Sequence, residues 1–183
     1  MIFRETFLRG AYIVELKPFT DDRGMFVRTF CKNEFQEIGH VKEFIQFNHS
    51  VTNKKGTIRG LHYQVPPYSE IKLIRCVRGS VYDVIVDLRQ HSPTFLKHVS
   101  VELTEHNLLS LYIPEGFAHG FQTLEDNTQL IYHHTAYYTP GHEAGIRYND
   151  PSVGISWPLP VSVITDKDMN HDLLTNSFKG ISL

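Results

Sequence analysis

The stretch IRGLHYQV, residues 58–65, has the composition of a strand and opens the region that decides the fold. IKLIRCV (71–77) and VYDVIVDLR (81–89) follow it, and the glycine and serine between them predict a hairpin around Gly79 and Ser80. Similar stretches continue in both directions: MFVRTFC (25–31), KEFIQFNHSV (42–51), HVSVELT (98–104), LLSLYIP (108–114), GFAHGFQTL (116–124) and TQLIYHHTAYY (128–138). Helical patterns are confined to KNEFQEIG (32–39) and the region of DKDMNHDLLT (166–175). Many short strands at regular spacing therefore predict an all-β sandwich or jelly roll with a few short helices.

The composition favours one domain over residues 1–183, since 41% hydrophobic residues suffice for a core. The net charge of −2 and the lack of a lysine or arginine stripe argue against nucleic acid and membrane surfaces as partners, while a local basic pocket for a small anion remains compatible. Cys31 and Cys76 form no CxxC pair, which predicts a reduced, cytoplasmic protein. We expect no signal peptide, and no apolar run approaches the ~18 residues of a membrane span.

Side-chain alternation groups polar residues on shared strand faces, because successive residues of a strand point to opposite sides. His62 shares a face with Gln64, whereas Arg59 points to the other face unless Gly60 forms a β-bulge. In the stretch 128–138 one face carries Leu130, Tyr132, His134 and Tyr138.

A metal site is one interpretation of the polar residues. PEGFAH (114–119) matches the PxGxxH pattern of the second cupin motif, in which the histidine binds a metal. The HxH of the first motif is replaced by HYQ (62–64), so a site must be written as His62, Gln64, Glu70 and His119. Glutamine is a poor ligand for transition metals compared with imidazole, and we therefore expect no metal.

Two other interpretations concern the histidines. A structural role in the core or at the surface is expected for His40, His91, His98, His106, His142 and His171. Acid–base chemistry on a small molecule requires a base, a group that stabilises the developing anion and an acid on the far side. His62, Lys72 and Tyr132 fit these three roles, but spacing alone leaves the interpretations open.

RGLHYQ (59–64) and LYIPEGFAHGF (111–121), at this separation, resemble the dTDP-4-dehydrorhamnose 3,5-epimerase family. The resemblance covers nearly the whole chain and includes DDRGMF (21–26), QFNHS (46–50), VYDVIVDLRQHSPTF (81–95), DPSVGISWP (150–158) and TDKD (165–168). It implies a cupin-type jelly roll that forms a homodimer and uses no metal and no cofactor. It also implies inversion at C3, C5 or both of a nucleotide-linked 4-keto-6-deoxyhexose.

Matched residue by residue, the resemblance implies that His62 is the general base, Asp168 its partner, Lys72 the cation near the keto oxygen and Tyr132 the acid on the opposite face. It implies substrate contacts at Arg23, Gln46, Asn48, Arg59, His119, Tyr138, Glu143 and Lys167. These residue types suit the chemistry, because the 4-keto group acidifies the neighbouring C–H bonds and the resulting enolate needs a fixed cation. Arginine and lysine also suit a diphosphate.

Arg28 departs from the family pattern, which usually has a glutamate near this position that reaches the nucleotide across the dimer. Thymine N3 is a donor and suits a carboxylate, whereas cytosine N3 and O2 are acceptors and suit an arginine. We therefore hypothesise that Arg28 contacts the nucleotide and favours a CDP-linked sugar. The alternative is that Arg28 is a surface residue or pairs with the phosphates.

Other functions share this sequence pattern. A nucleotide-sugar 3,4-ketoisomerase has the same fold, and Tyr132 opposite His62 favours epimerisation over it. A non-catalytic sugar-binding jelly roll is the alternative outside enzymes. The sugars made by such epimerases usually enter bacterial surface polysaccharides, such as the O-antigen of lipopolysaccharide, or antibiotic glycosides.

Overall fold

The computed structural model describes residues 1–183 and contains thirteen strands and two four-residue helices. The strands are β1 (Ile2–Glu5), β2 (Tyr12–Glu15), β3 (Phe19–Asp21), β4 (Gly24–Phe26), β5 (Gln46–Thr52), β6 (Ile58–Gln64), β7 (Lys72–Arg78), β8 (Ser80–Asp87), β9 (His98–Thr104), β10 (Leu109–Ile113), β11 (Phe117–Thr123), β12 (Thr128–His134) and β13 (Glu143–Gly145). The helices are α1 (Lys32–Phe35), continued by a 3₁₀ turn over Gln36–Ile38, and α2 (Asp166–Met169). The prediction of an all-β fold with a few short helices is confirmed. No helix is long and apolar enough to span a membrane.

Two antiparallel sheets form the sandwich. The six-stranded sheet has the order β1-β2-β10-β7-β12-β5, and the five-stranded sheet has the order β13-β6-β11-β8-β9. Their inner faces meet in a cluster of thirteen buried hydrophobic residues, with Ile74 and Leu111 from the first sheet and Ile85 and Phe121 from the second. Alternating apolar residues on both sheets thus form a common core, as in a jelly roll.

The hairpin predicted around Gly79 and Ser80 is wrong. β7 belongs to the six-stranded sheet and β8 to the five-stranded sheet, so the chain crosses the sandwich at this turn. Gly79 has φ +73°, and a Cβ there would lie 2.7 Å from Thr128 Oγ1. A glycine between two strands therefore does not distinguish a hairpin from a connection between sheets, because both kinds of turn use its conformational freedom.

The strand predicted over MFVRTFC is also shorter than expected. Only Gly24–Phe26 is extended and paired, in a separate two-stranded hairpin with β3. After β4 the chain turns inward, and the Phe30 ring packs 4.8 Å from the Phe35 ring and 5.1 Å from the Phe44 ring, measured between centroids. Aromatic packing between loop and helix therefore ends the β-pattern.

Candidate active site

A cavity of about 560 Å³ opens between the two sheets, a size suited to a small-molecule ligand. Strands of both sheets line it together with α2. The cavity brings together the following predicted site residues: Gln46, Asn48, Arg59, His62, Lys72, His119, Tyr132, Tyr138, Glu143, Lys167 and Asp168. Residues as far apart in the chain as Gln46 and Asp168 thus meet at one place.

His62 and Asp168 form a hydrogen-bonded pair on one wall of the cavity. His62 Nε2 lies 2.7 Å from Asp168 Oδ1, and the Gly60 amide donates to Asp168 Oδ2 at 3.0 Å. Burial opposes ionisation of Asp168, but these two hydrogen bonds hold its pKa below the usual value. An ionised carboxylate accepts from Nε2–H, so the neutral imidazole presents its lone pair at Nδ1.

A β-bulge at Gly60 shapes this wall. His62 is paired with His119 and Arg59 with Phe121, so three residue steps on β6 match two on β11. Gly60 has φ +103°, and a Cβ there would lie 2.6 Å from His119 O. The extra residue allows Arg59 and His62 to line the same cavity, although regular alternation would separate them.

α2 places Asp168 against the bulge. Thr165 caps the helix by accepting a hydrogen bond from the Asp168 amide at 3.2 Å. Two residues earlier, Val163 forms a parallel bridge with Thr57, directly before β6. The tail of the chain is therefore attached to the start of the strand that carries His62.

Tyr132 lies on the opposite wall, on β12 of the six-stranded sheet, where its register partners are Asn48 and Ile74. Its hydroxyl accepts a long hydrogen bond of 3.4 Å from Ser50 Oγ. Burial raises the pKa of Tyr132, so the phenol keeps its proton at neutral pH. A candidate acid and a candidate base thus enter one cavity from two different sheets.

Lys72 is at the start of β7, directly opposite His134 on β12. Its ammonium lies 3.2 Å from Glu70 Oε1 and 3.5 Å from the carbonyl oxygen of His62. The lysine side chain is only 11% exposed. A fixed, largely buried ammonium can stabilise an oxyanion strongly.

His119 is held by a carboxylate that the sequence reasoning missed. Its Nε2 lies 2.9 and 3.0 Å from the two oxygens of Asp83, which is fully buried on β8. Asp83 falls in VYDVIVDLR, where a charged residue inside an apolar strand was the available signal.

Cations and polar groups lie toward the mouth of the cavity. The Arg59 guanidinium donates to Thr52 Oγ1 at 3.1 Å and to Val51 O at 3.3 Å, and Lys167 is ion-paired with Glu143. A second carboxylate contact places Glu143 Oε1 3.9 Å from His62 Nδ1. Two positive side chains are thus available to a bound phosphate group.

Arg23 and Arg28 are not brought to this cavity. Arg23 lies in the turn between β3 and β4 and pairs with Asp21 at 2.6 Å. Arg28 follows β4, is 64% exposed and donates to Glu34 Oε1 at 2.9 Å. Neither arginine therefore lines the cavity of its own chain.

The metal set written from the cupin pattern is not assembled. Gln64 bonds to backbone groups of Tyr68, Tyr137 and Thr139, His119 bonds to Asp83, and Glu70 bonds to Lys72 and His134. A different group, His62, Asp168 and His171, has ligand atoms within 4.8 Å of one another. His171, expected to have only a structural role, lies with its ring 6.1 Å from the ring of His62.

Comparison with known proteins gives consistent matches. The family model described as dTDP-4-dehydrorhamnose 3,5-epimerase matches residues 5–176. The chain is 46% identical to the dTDP-4-dehydrorhamnose 3,5-epimerase of Shigella flexneri, over 91% of this chain and 92% of the relative. A crystal structure of that enzyme from Bacillus anthracis, with TDP and pyrophosphate bound, matches with a TM-score of 0.91 and 40% identity, covering 94% of this chain and 99% of the other. A 3'-monoepimerase from Streptomyces bikiniensis in complex with dTDP-quinovose matches with a TM-score of 0.86 and 32% identity, over 92% and 85% of the two chains.

Proposed function

The chain belongs to the dTDP-4-dehydrorhamnose 3,5-epimerase family and is an epimerase acting on a sugar nucleotide, and on this premise we propose that its substrate is a dTDP-linked 4-keto-6-deoxyhexose. Inversion occurs at C3, at C5 or at both. The observation that carries the proposal is the placement of the His62–Asp168 pair and of Tyr132 on opposite sheets across one cavity. Inversion requires an acid and a base on opposite sides of the sugar, since one face of the carbon loses a proton and the other face gains one.

The reaction begins with proton abstraction by Nδ1 of His62 from a carbon next to the keto group. Asp168 stabilises the imidazolium that forms, as the carboxylate of a catalytic triad does. The electron pair of the broken C–H bond moves into the enolate, whose charge collects on the keto oxygen near Lys72. Tyr132 then donates its phenolic proton to the opposite face of the carbon, and proton exchange with solvent restores both residues.

The nucleotide is proposed to be dTDP because the relatives of known activity are named for dTDP sugars. Arg59 and Lys167 would bind the diphosphate. The CDP preference inferred from Arg28 stays a prediction, and the ion pair of Arg28 with Glu34 favours its role as a surface residue in an isolated chain.

A homodimer is part of the proposal. Phe19 and Phe26 face each other across the β3–β4 hairpin and are 76% and 74% exposed. Large apolar side chains at such exposure are typical of interaction surfaces. Sedimentation of the wild type and of Phe26→Ser tests the dimer, and a monomeric wild type would contradict it.

The cytoplasm is the proposed location, since Cys31 and Cys76 are both free thiols, as is usual in reducing compartments.

Incubation in deuterated water with dTDP- and CDP-linked 4-keto-6-deoxyglucose tests the substrate and the regiochemistry together. We expect deuterium at C3, C5 or both with the dTDP sugar, and faster turnover than with the CDP sugar. Lack of incorporation with both sugars contradicts the proposed epimerisation. Faster turnover of the CDP sugar contradicts the dTDP assignment and supports the Arg28 hypothesis.

The same experiment separates the alternatives. A 3,4-ketoisomerase would move the carbonyl to C3, which carbon NMR of the product detects. A non-catalytic sugar-binding protein would bind the sugar nucleotide without isotope exchange, and His62→Ala would leave that binding unchanged.

A further inference from the structure

A buried carboxylate behind Lys72 has two partners. Glu70 Oε1 lies 3.2 Å from Lys72 Nζ, and Glu70 Oε2 lies 2.6 Å from His134 Nδ1. The three side chains are between 9% and 11% exposed. Burial of ionisable groups is unfavourable unless they are paired, and here one carboxylate uses one oxygen for each partner.

The strand register explains why these residues meet. β7 and β12 pair with Lys72 directly opposite His134, and Glu70 precedes β7 by two residues. Burial alone would raise the pKa of Glu70, but the hydrogen bond with His134 and the charge of Lys72 hold it below the usual value. Glu70 is therefore an anion at neutral pH, and His134 must donate from Nδ1.

We propose that Glu70 and His134 are positioning residues that fix the ammonium of Lys72 and set the positive charge it presents to the enolate. The inference rests on the proposed function, because Lys72 stabilises an enolate only in that reaction. His134 acts through Glu70 and Lys72 on the reacting atoms.

His134 influences the reaction through the position of the Glu70 carboxylate. An anionic Glu70 reduces the positive potential that Lys72 presents to an enolate oxygen, by an amount that depends on the distance between the two groups. A hydrogen bond from neutral His134 holds the carboxylate in place beside the ammonium. Loss of this donor should therefore weaken transition-state stabilisation.

His134 is also linked to two other proposed site residues. Its Nε2 lies 3.3 Å from Asn48 Nδ2, so the neutral ring accepts a hydrogen bond from this amide. The Tyr132 ring stacks on it at 6.0 Å between centroids and 14° between planes. The groups facing His134 are thus Glu70 just before β7, Lys72 at the start of β7, the Tyr132 phenol on β12 and the neutral Asn48 amide on β5.

Substitution of two adjacent histidines tests this proposal. His134→Leu removes the donor to Glu70, whereas His133→Leu is a matched control, because His133 packs on the opposite side of β12 against Phe44 and Phe47. We expect His134→Leu to lower kcat about 10- to 100-fold with little change in KM, since small displacements of a catalytic group have effects of this size. His133→Leu should keep kcat within about threefold of the wild type, the spread of ordinary context effects.

His134→Asn provides a rescue readout. Its amide nitrogen can replace Nδ1 as the donor to Glu70, so kcat should recover to within about threefold of the wild type. A wild-type kcat in His134→Leu, equal losses in both leucine variants, or no recovery of kcat in His134→Asn overturns the proposal.

Imidazole NMR separates failure of this inference from failure of the proposed function. If the wild type exchanges no deuterium, the proposed function fails, but the contact itself remains measurable. Long-range ¹H–¹⁵N spectra of the wild type should show His134 protonated at Nδ1, and Glu70→Gln should change that signal. An identical His134 signal in both proteins overturns the positioning role irrespective of activity.

Discussion

The backbone amide of Gly60 donates a hydrogen bond of 3.0 Å to Oδ2 of Asp168, whose other oxygen lies 2.7 Å from the ring of His62. The bulge that turns Arg59 into the cavity therefore also supplies the second hydrogen bond that orients the carboxylate. One backbone irregularity thus helps to place three candidate site residues, Arg59, His62 and Asp168.

Gly60→Ala should impair both stability and activity. A Cβ at φ +103° is strained and would lie 2.6 Å from His119 O, so we expect a loss of about 1–3 kcal/mol in the free energy of unfolding. Urea denaturation and kcat measure the effects. Gly24→Ala is the control, since Gly24 has φ +123° on an exposed hairpin with no atom within 4 Å of the added Cβ. Wild-type kcat in Gly60→Ala would contradict the role of the bulge.

Asp168→Asn should lower kcat by about 10²- to 10⁴-fold, because an amide cannot stabilise the imidazolium and permits the wrong tautomer of His62. Isotope exchange into the sugar measures the first proton transfer directly. Asp166→Asn changes an exposed carboxylate on the same helix and should have little effect. Equal activities of the two variants would show that Asp168 has no part in the proton transfer.

Stability should decrease in acid through Asp168 and Glu70. Burial alone would raise both pKa values. Hydrogen bonds and neighbouring charges outweigh burial, however, and leave both pKa values below the usual ones. The two carboxyl groups therefore bind protons more readily in the unfolded chain than in the folded one. Their contribution to the free energy of unfolding is complete above the unfolded pKa and is lost as the pH falls through the folded pKa. We expect the free energy of unfolding to decrease as the pH is lowered below about 4.

The contribution of Asp168 to the loss of stability in acid can be isolated by denaturation at several pH values. In Asp168→Asn the free energy of unfolding should decrease less steeply with falling pH than in the wild type. Asp22→Asn, in the exposed turn of the hairpin, should retain the wild-type slope. A slope for Asp168→Asn that equals the wild-type slope would rule out this linkage.

Tyr132→Phe should abolish most of the inversion at the sugar carbon while leaving isotope exchange at that carbon in place. His62 can still remove and return a proton on its own face, so isotope exchange should persist while formation of the inverted sugar falls by about 10²- to 10⁴-fold. The lost hydrogen bond is long, at 3.4 Å, and stability should change by less than about 1 kcal/mol. Tyr112→Phe removes a buried phenol next to His40 and is the matched control. Equal loss of exchange and inversion would contradict the role of Tyr132 as acid.

The sequence predicted features that depend on local periodicity. Alternation on β12 placed Tyr132 and His134 on one face, and both line the cavity. The fold class also followed, since short alternating strands separated by turns have few other solutions. The possible bulge at Gly60 was recognised from a glycine inside a strand.

Features that depend on strand pairing could not be predicted. The contact of Glu70 with His134 requires β7 to lie beside β12, and the contact of Asp83 with His119 requires β8 beside β11. The crossing at Gly79 was mistaken for a hairpin for the same reason. Alternation shows on which side of a strand a residue points, but it does not identify the neighbouring strand.

Asp168 lies 106 residues beyond His62, in the tail that follows the last strand, and the Thr57–Val163 bridge attaches that tail to the sandwich. Closing so long a loop is entropically unfavourable and becomes favourable only once the surface that receives the tail exists. During refolding, the sheets should therefore form before His62, the proposed general base, acquires its partner. Recovery of catalysis should lag behind recovery of β-structure, and the enzyme should become active only in the last step of its folding.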